Sequence, residues 1–312
     1  MNKNVGICFS NELAGNNPLS HIHIKRPVYL RLLDIIQDSG FNCLVLTRKT
    51  YEGNSIFNGG WVFDKGKFKI IKERVKIDLV YDRVGGITFP PQNDRMLVVN
   101  RRDFKILSWD KWKTYQKIGE YMPKTFWVGD LSNLSKAVNK VETNNMVVKP
   151  YNSLKGNDIY IGLKENLKNF NPEKTGRKYI LQEFVDTSNG IPNLTPGNHD
   201  LRVVVINNKV VWSHIRIPAS GKLLANTAQG GQLIEIDYDK APEGVKKIVK
   251  EISNMFYKKY DNPVFSIDFG INEKGTPKIF EINDQIGFPR WEMKNRDVFL
   301  KALVENFKSK II

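Results

Sequence analysis

Apolar and polar residues alternate through 264–271 and again through 278–284, and a turn-rich hexapeptide, Asn272-Glu273-Lys274-Gly275-Thr276-Pro277, separates the two runs. Period-two alternation on both sides of a turn predicts a β-hairpin. With the turn centred on Lys274-Gly275, Asp268 stands opposite Glu281 and Ser266 opposite Asn283. Phe265, Ile267, Phe269, Phe280 and Ile282 then take the other face. One face is core and the other acidic.

The first hundred residues alternate between strand and helix patterns. Residues 5–9 form a short apolar run, 27–37 carry Val28, Leu32, Ile35 and Ile36 at helical spacing, Gly40 stops that helix, and 41–46 are apolar again. This predicts a βαβ unit, with a further strand at 77–82. Ser108 is placed to cap a helix running to about Tyr121, with Pro123 beyond its end. Strands are expected at 125–128, 146–149 and 179–184, with a helix over 131–141. A Gly/Pro/Asn-rich crossover at 188–198 leads to a hairpin, 201–206 and 209–215 about Asn207-Asn208, and then to a helix at 243–260. The fold class expected is α/β and α+β. An N-terminal α/β domain (1–105) is followed by a small lobe (106–187) and a C-terminal lobe (188–312).

Composition narrows the class of protein. With 41% hydrophobic and 26% charged residues in 312, the chain has the balance of a folded globular protein. No run reaches the roughly 18 apolar residues that span a bilayer, and no basic-then-apolar leader opens the chain, so a cytoplasmic location is expected. Cys8 and Cys43 each sit in an apolar run and read as free core residues. The net charge of +15 points to an anionic partner. Dispersed Lys and Arg argue against a membrane surface, and no nucleic-acid-binding signature is present.

Two carboxylates facing each other across a hairpin are destabilising unless a cation lies between them. Asp, Glu and Asn oxygens suit a hard cation, Mg²⁺ in particular; a solvated strand face is the alternative. Lys149 ends an apolar run before a polar loop that includes Ser153, where an ammonium and backbone N–H groups can meet phosphate oxygens. Arg202 and Arg216 offer planar forks for phosphate or carboxylate, or an ion pair with an acid such as Asp200. The four histidines have no metal-ligand spacing, and His21 and His23 read as an exposed pair.

In chain order, Asp110-Lys111, Val147-Val148-Lys149-Pro150, Leu181-Gln182-Glu183-Phe184-Val185 and Asp200-Leu201-Arg202 come first. Arg216-Ile217-Pro218-Ala219-Ser220-Gly221, Asn226, Gln229-Gly230-Gly231, Asp268 and Glu281-Ile282-Asn283 follow. This series resembles the ATP-grasp superfamily, in the flavour of the glutathione synthetases and ribosomal-protein glutamate ligases. The resemblance implies that Lys111, Lys149 and the Ser153 loop meet the phosphates of ATP, and that Gln182, Glu183, Phe184 and Val185 hold adenine, mainly through backbone. Arg202 would approach the phosphates, Arg216 and Asn226 would face the reacting carboxylate and terminal phosphate, and Asp268, Glu281 and Asn283 would hold Mg²⁺ or Mn²⁺. One departure stands out: Gly156 is the only glycine between Lys149 and Tyr160, where family members carry a glycine-rich loop.

The expected activity is therefore ATP-dependent carboxylate–amine ligation through an acyl phosphate, with an acidic peptide among the candidate substrates and Arg83 and Arg290 as its binding residues. An ATP-grasp kinase acting on a hydroxyl and a catalytically silent nucleotide-binding module are the rivals.

Overall fold

The computed structural model describes residues 2–10, 13, 15–86, 89, 96–153, 158–172, 176–223 and 230–311. Three sheets organise them.

The first sheet begins with the expected βαβ unit. Strand β1 (Asn4–Phe9) pairs in parallel with β2 (Asn42–Thr47), joined by helix α1 (Arg26–Asp38), which starts with Pro27 and buries Val28, Tyr29, Leu32, Leu33, Ile35 and Ile36. Strands β6 (Leu79–Asp82) and β7 (Leu97–Val99) extend the parallel part on the other side of β1. Between β2 and β6 lies a feature the strand–helix reading missed. Strands β3 (Tyr51–Gly53), β4 (Ile56–Asp64) and β5 (Lys67–Lys76) form an antiparallel extension, giving the order β3-β4-β2-β1-β6-β7 with β5 on β4. The reason is visible in β5, whose residues are almost all exposed or half-buried, so no apolar face announces it.

Helices α2 (Arg102–Trp109) and α3 (Lys111–Ile118) replace the single helix expected from Ser108. Ser108 lies inside α2, and the cap is Asp110, whose side chain accepts from the N–H groups of Trp112 and Lys113. The second sheet has the order β10-β9-β11-β8, all antiparallel: β8 (Thr125–Gly129), β9 (Asn145–Pro150), β10 (Tyr160–Leu163) and β11 (Tyr179–Glu183). Helix α4 (Leu134–Val138) covers it and is shorter than the 131–141 span expected.

The third sheet, order β14-β13-β12-β15-β16, is also antiparallel. Strands β12 (Asp200–Ile206) and β13 (Lys209–Ile217) turn at Asn207 and Asn208, both with positive φ (53° and 57°), a conformation that asparagine tolerates. Strand β14 (Gln232–Ile236) was not foreseen. Helix α5 (Glu243–Lys259) packs its Val245, Val249, Ile252 and Phe256 into the apolar cluster beneath β12, β15 (Phe265–Ile271) and β16 (Pro277–Asn283).

The β15–β16 hairpin pairs Asp268 with Glu281 and Ser266 with Asn283 as the alternation predicts. Its inner half is shifted by a bulge: Phe269 pairs with Ile279, and Phe280 is the extra residue. Phe280 therefore leaves the core face and Ile279 takes it. The ring of Phe280 lies over Gly270, where a Cβ would come within 2.1 Å of it, so only glycine fits.

Helix α6 (Arg296–Ile311), absent from the sequence reading, places Phe299, Leu300, Leu303, Val304 and Phe307 in the same apolar cluster as β1, α1, Trp212 and Phe288. The last stretch of the chain is thus packed into the core of the first sheet. Both cysteines are free and buried, as expected. Among the described residues no helix is long and apolar enough to cross a membrane.

Candidate active site

Strand register builds the site. Across β16, β15, β12, β13 and β14, pairing puts Glu281, Asp268, Arg202, His214 and Glu235 in one row, and directly opposed residues share a face. On the next position but one, Asp200 stands opposite Arg216. The alternation that packs Leu201, Val203 and Ile215 into the core sends Asp200, Arg202, His214 and Arg216 the other way.

Asp268 is the most heavily bonded group in the row. Arg202 grips it with two parallel bonds, Nε to Oδ1 at 2.6 Å and Nη2 to Oδ2 at 2.5 Å. Arg216 Nη2 adds a bond to Oδ2 at 2.7 Å and also donates to Asp200 Oδ2. Burial alone would raise the Asp268 carboxyl, but the two guanidiniums outweigh it and hold the group well below the usual carboxylate range. Asp200 has the opposite fate. Burial lifts it to about 7, with Arg216 only partly offsetting, and its Oδ1 has no hydrogen-bond partner. The arginines read as facing phosphate and substrate thus meet carboxylates of the protein, the alternative weighed for Asp200.

Helix α3 and the second sheet supply the other cations. Lys111 opens α3, where its backbone N–H donates to Tyr151 O at 2.8 Å and its Nζ to Ser153 O at 2.7 Å, so the Asp110-capped helix start is tied to the end of β9. Its ammonium lies 3.2 Å from Glu281 Oε1. Lys149 points from β9 at neutral oxygens, Gln182 Oε1 at 2.9 Å and Phe280 O at 3.4 Å. Burial, reinforced by Lys111, brings it down to about 8, with Glu281 pulling the other way. Asp268 and Glu281 are thus each paired with a cation of the protein, guanidinium on one carboxylate and ammonium on the other.

The remaining expected residues are placed less simply. Gln182 gives its side chain to Lys149 and Thr125. The Glu183 N–H donates to Lys124 O and the Phe184 N–H to Thr143 Oγ1, which commits two strand-end donors within the protein, and Val185 is half-buried beside them. Arg83 donates to the hydroxyls of Tyr29 and Tyr81 and lies against Phe288, and half-buried Arg290 follows two residues after Phe288. Neither is bonded to the row. Asn226 and Gly156 lie outside the described residues. Sequence reasoning missed His214, only 3% exposed, its ring tilted 31° against that of Trp212 at 4.0 Å between centroids. Burial and the repulsion of Arg202 and Arg216 keep it neutral by pushing its pKa well down. Its signal was the period-two spacing of Trp212, His214 and Arg216. Lys105 was also missed; its ammonium bridges Asp82 at 2.7 Å and Asp284 at 3.3 Å, tying the end of β6 to the residue after Asn283.

The match between residues 108–302 and the model of the RimK-like ATP-grasp domain decides the family. The chain belongs to the RimK-like ATP-grasp family. It is 25% identical over 198 residues to human N-acetylaspartylglutamate synthase A, covering 61% of this chain and 47% of that protein, so it spans about half the length of this relative. The fold is that of the VanG D-Ala:D-Ser ligase from Enterococcus faecalis (TM-score 0.64, 12% identity, 100% of both chains). It is equally that of an ATP-grasp ligase associated with a ribosomally made peptide in Chryseobacterium gregarium, solved with ADP and a leader and core peptide (TM-score 0.62, 13% identity, 99% and 97% covered).

ATP-grasp ligases use ATP and a divalent metal. The donor set here suits such an ion in chemistry: Asp268 and Glu281 are opposed and Asn283 lies two residues on, all with hard oxygens. Among the described residues no group of three His, Cys, Asp or Glu is gathered, so an ion held here would need the asparagine oxygen and oxygens of a bound phosphate as well. Asn283 directs Nδ2 to Asp268 Oδ2 at 3.2 Å, and ligation requires its amide to present Oδ1 instead.

Proposed function

We propose that the protein is an ATP- and Mg²⁺-dependent carboxylate–amine ligase that forms an amide through an acyl phosphate. The observation that carries this reading is the convergence of Lys111, from α3, and Lys149, from β9 of the second sheet, on the Phe280–Glu281 edge of the third. Cations and hard carboxylates meet there without any serine–histidine nucleophile, the inventory phosphoryl transfer needs.

In this reading Lys149 and Lys111 neutralise the polyphosphate, and the 182–185 strand end borders adenine. Asp268, Glu281 and Asn283 would hold Mg²⁺, which would supply charge withdrawal at the phosphate oxygens. Arg202 approaches the phosphates, and Arg216 faces the carboxylate whose oxygen attacks the γ-phosphorus as the bond to ADP breaks. The amine then attacks the acyl carbon and phosphate leaves, so one difficult condensation becomes two easier steps. Neutral His214 keeps a third positive charge out of the Arg202–Arg216 row. The relative named for N-acetylaspartylglutamate, an acidic product, supports acidic substrates, and the neighbour solved with a leader and core peptide supports a peptide among them, with Arg83 and Arg290 as the residues that receive them.

Hydroxylamine tests the reading. With ATP, Mg²⁺ and a panel of acidic amino acids and peptides, the wild-type chain is expected to yield a hydroxamate and release phosphate only when acid is present. A stable phosphorylated product that needs no amine would establish the kinase reading instead.

A further inference from the structure

Asn283 is the last residue of β16, and β16 is the edge strand of its sheet, so strand pairing holds this residue from one side only, through Ser266. Beyond it the chain leaves the sheet. The strand end is fixed instead by the residue that follows, Asp284, which is bonded at three oxygens by the segment 100–108. Its main-chain O accepts from Asn100 Nδ2 at 3.2 Å, its Oδ1 accepts from Ser108 Oγ at 3.1 Å, and its Oδ2 lies 3.3 Å from Lys105 Nζ. Asn100 also bonds both main-chain groups of Val264, just before β15, at 2.6 Å each. One short segment therefore clamps the open end of the β15–β16 hairpin. Lys105 carries the clamp on to the first sheet: its ammonium is 2.7 Å from Asp82 Oδ2 at the end of β6, and Gln285 Nε2 donates to Asp82 O at 3.0 Å.

The side chains of Lys105, Asp82 and Asp284 are only 4%, 0% and 12% exposed. Buried ion pairs of this kind add little net stability over apolar residues of the same volume, so stability alone is a weak reason for a lysine here. Position is a stronger one. Mg²⁺ demands near-ideal octahedral geometry, and the groups that orient an ion's ligands set its affinity, so a ligand at the end of an edge strand needs such support. We propose that Lys105 is a positioning residue for the ion: by fastening Asp284 to Asp82 it sets the main chain at Asn283, so that the Asn283 amide can turn Oδ1 to the metal. The inference rests on the reading in which Asp268, Glu281 and Asn283 hold Mg²⁺, and adds a residue of α2 that acts on them through Asp284.

Calorimetric titration of the full chain with ADP, with and without Mg²⁺, tests it, and the readout is the gain in ADP affinity that the metal confers. Asp284→Ala removes the tether and leaves Lys105 on Asp82. It is expected to lower the gain about tenfold while metal-free ADP affinity stays as in the wild type. Asp284→Asn keeps an oxygen for Lys105 and is expected to retain most of the gain. Lys105→Met alone would strand two buried carboxylates, so it is combined with Asp82→Asn, and this double variant is expected to match Asp284→Ala. An undiminished gain in Asp284→Ala or in the double variant overturns the inference, and so does an equal loss of ADP affinity with and without the metal, which would make the cluster purely structural. A wild-type chain whose ADP affinity does not respond to Mg²⁺ would instead remove the ion site itself, and the inference with it.

Discussion

The Arg202–Arg216 cluster and the Lys111–Lys149 pair are both buried groups of cations within one site, yet they are neutralised in opposite ways. The arginines are closed by Asp268 and Asp200, through bonds of 2.5 to 2.7 Å to Asp268 alone. Lys149 has only an amide oxygen and a carbonyl, and its ammonium is destabilised as a result. The first arrangement is complete within the free protein, so it contributes to stability whatever the site binds. The second is left incomplete by the fold; in the proposed reading a phosphate completes it, so its energy would appear as binding.

The comparison is broken most severely by removing Asp268. Asp268→Asn leaves two buried guanidiniums without their shared anion and is expected to destabilise the fold by about 3–5 kcal/mol, read by urea unfolding. A variant that unfolds at the wild-type urea concentration would show that the arginine cluster is not a structural unit.

Lys149→Met should act in the reverse direction. ATP binding is expected to weaken by about 10- to 100-fold, since a hydrogen bond to a charged group is lost, while the ligand-free protein becomes more stable. The sign follows from the lowered pKa. The folded chain binds the Lys149 proton less tightly than the unfolded chain does, so the group is destabilising below about 8 and the penalty fades as pH rises toward the unfolded value. The gap of roughly 2.5 pKa units corresponds to about 3 kcal/mol at pH 7. Unfolding measured at pH 7 and pH 10 should show the stability advantage of Lys149→Met shrinking, and an advantage independent of pH would assign it to packing. ATP affinity of the wild type should also fall between pH 7 and pH 9, where the free ammonium deprotonates.

Glu281 lies between the two behaviours, partly exposed and paired with Lys111. Glu281→Gln is expected to change stability by less than about 1 kcal/mol and to remove most of the gain in ATP affinity that Mg²⁺ confers. Calorimetry with and without the metal checks this, and an undiminished metal effect would place the ion elsewhere. The smallest effect is expected from Asp110→Ala, which deletes the cap that sets Lys111 in place and should cost about 1 kcal/mol. Mg²⁺-dependent ATP affinity should drop only slightly, because Lys111 remains tethered to Tyr151 and Ser153.

Local pattern was enough to oppose Asp268 to Glu281, to place Lys149 at a strand end and to put Arg202 and Arg216 on a hairpin. Each of these depends on period-two alternation and on turn residues within a few positions, information that neighbours in sequence carry. The bulge at Phe280 escaped it, because the extra residue is chosen by the ring that must lie over Gly270 rather than by the turn. Strand β14 and helix α6 escaped for a related reason: β14 alternates between exposed and half-buried positions before Ile236, and α6 is recognised by the apolar surface it covers on α1 and β13. The sequence by itself determined the kinds of charged group present and the strand faces that bear them. Only the tertiary structure decided their partners: Lys111 on Glu281, Lys105 between Asp82 and Asp284, and two arginines on one aspartate. Charge pairing depends on separations of a few ångströms between segments far apart in the chain, and no local periodicity records which segments the packing brings together.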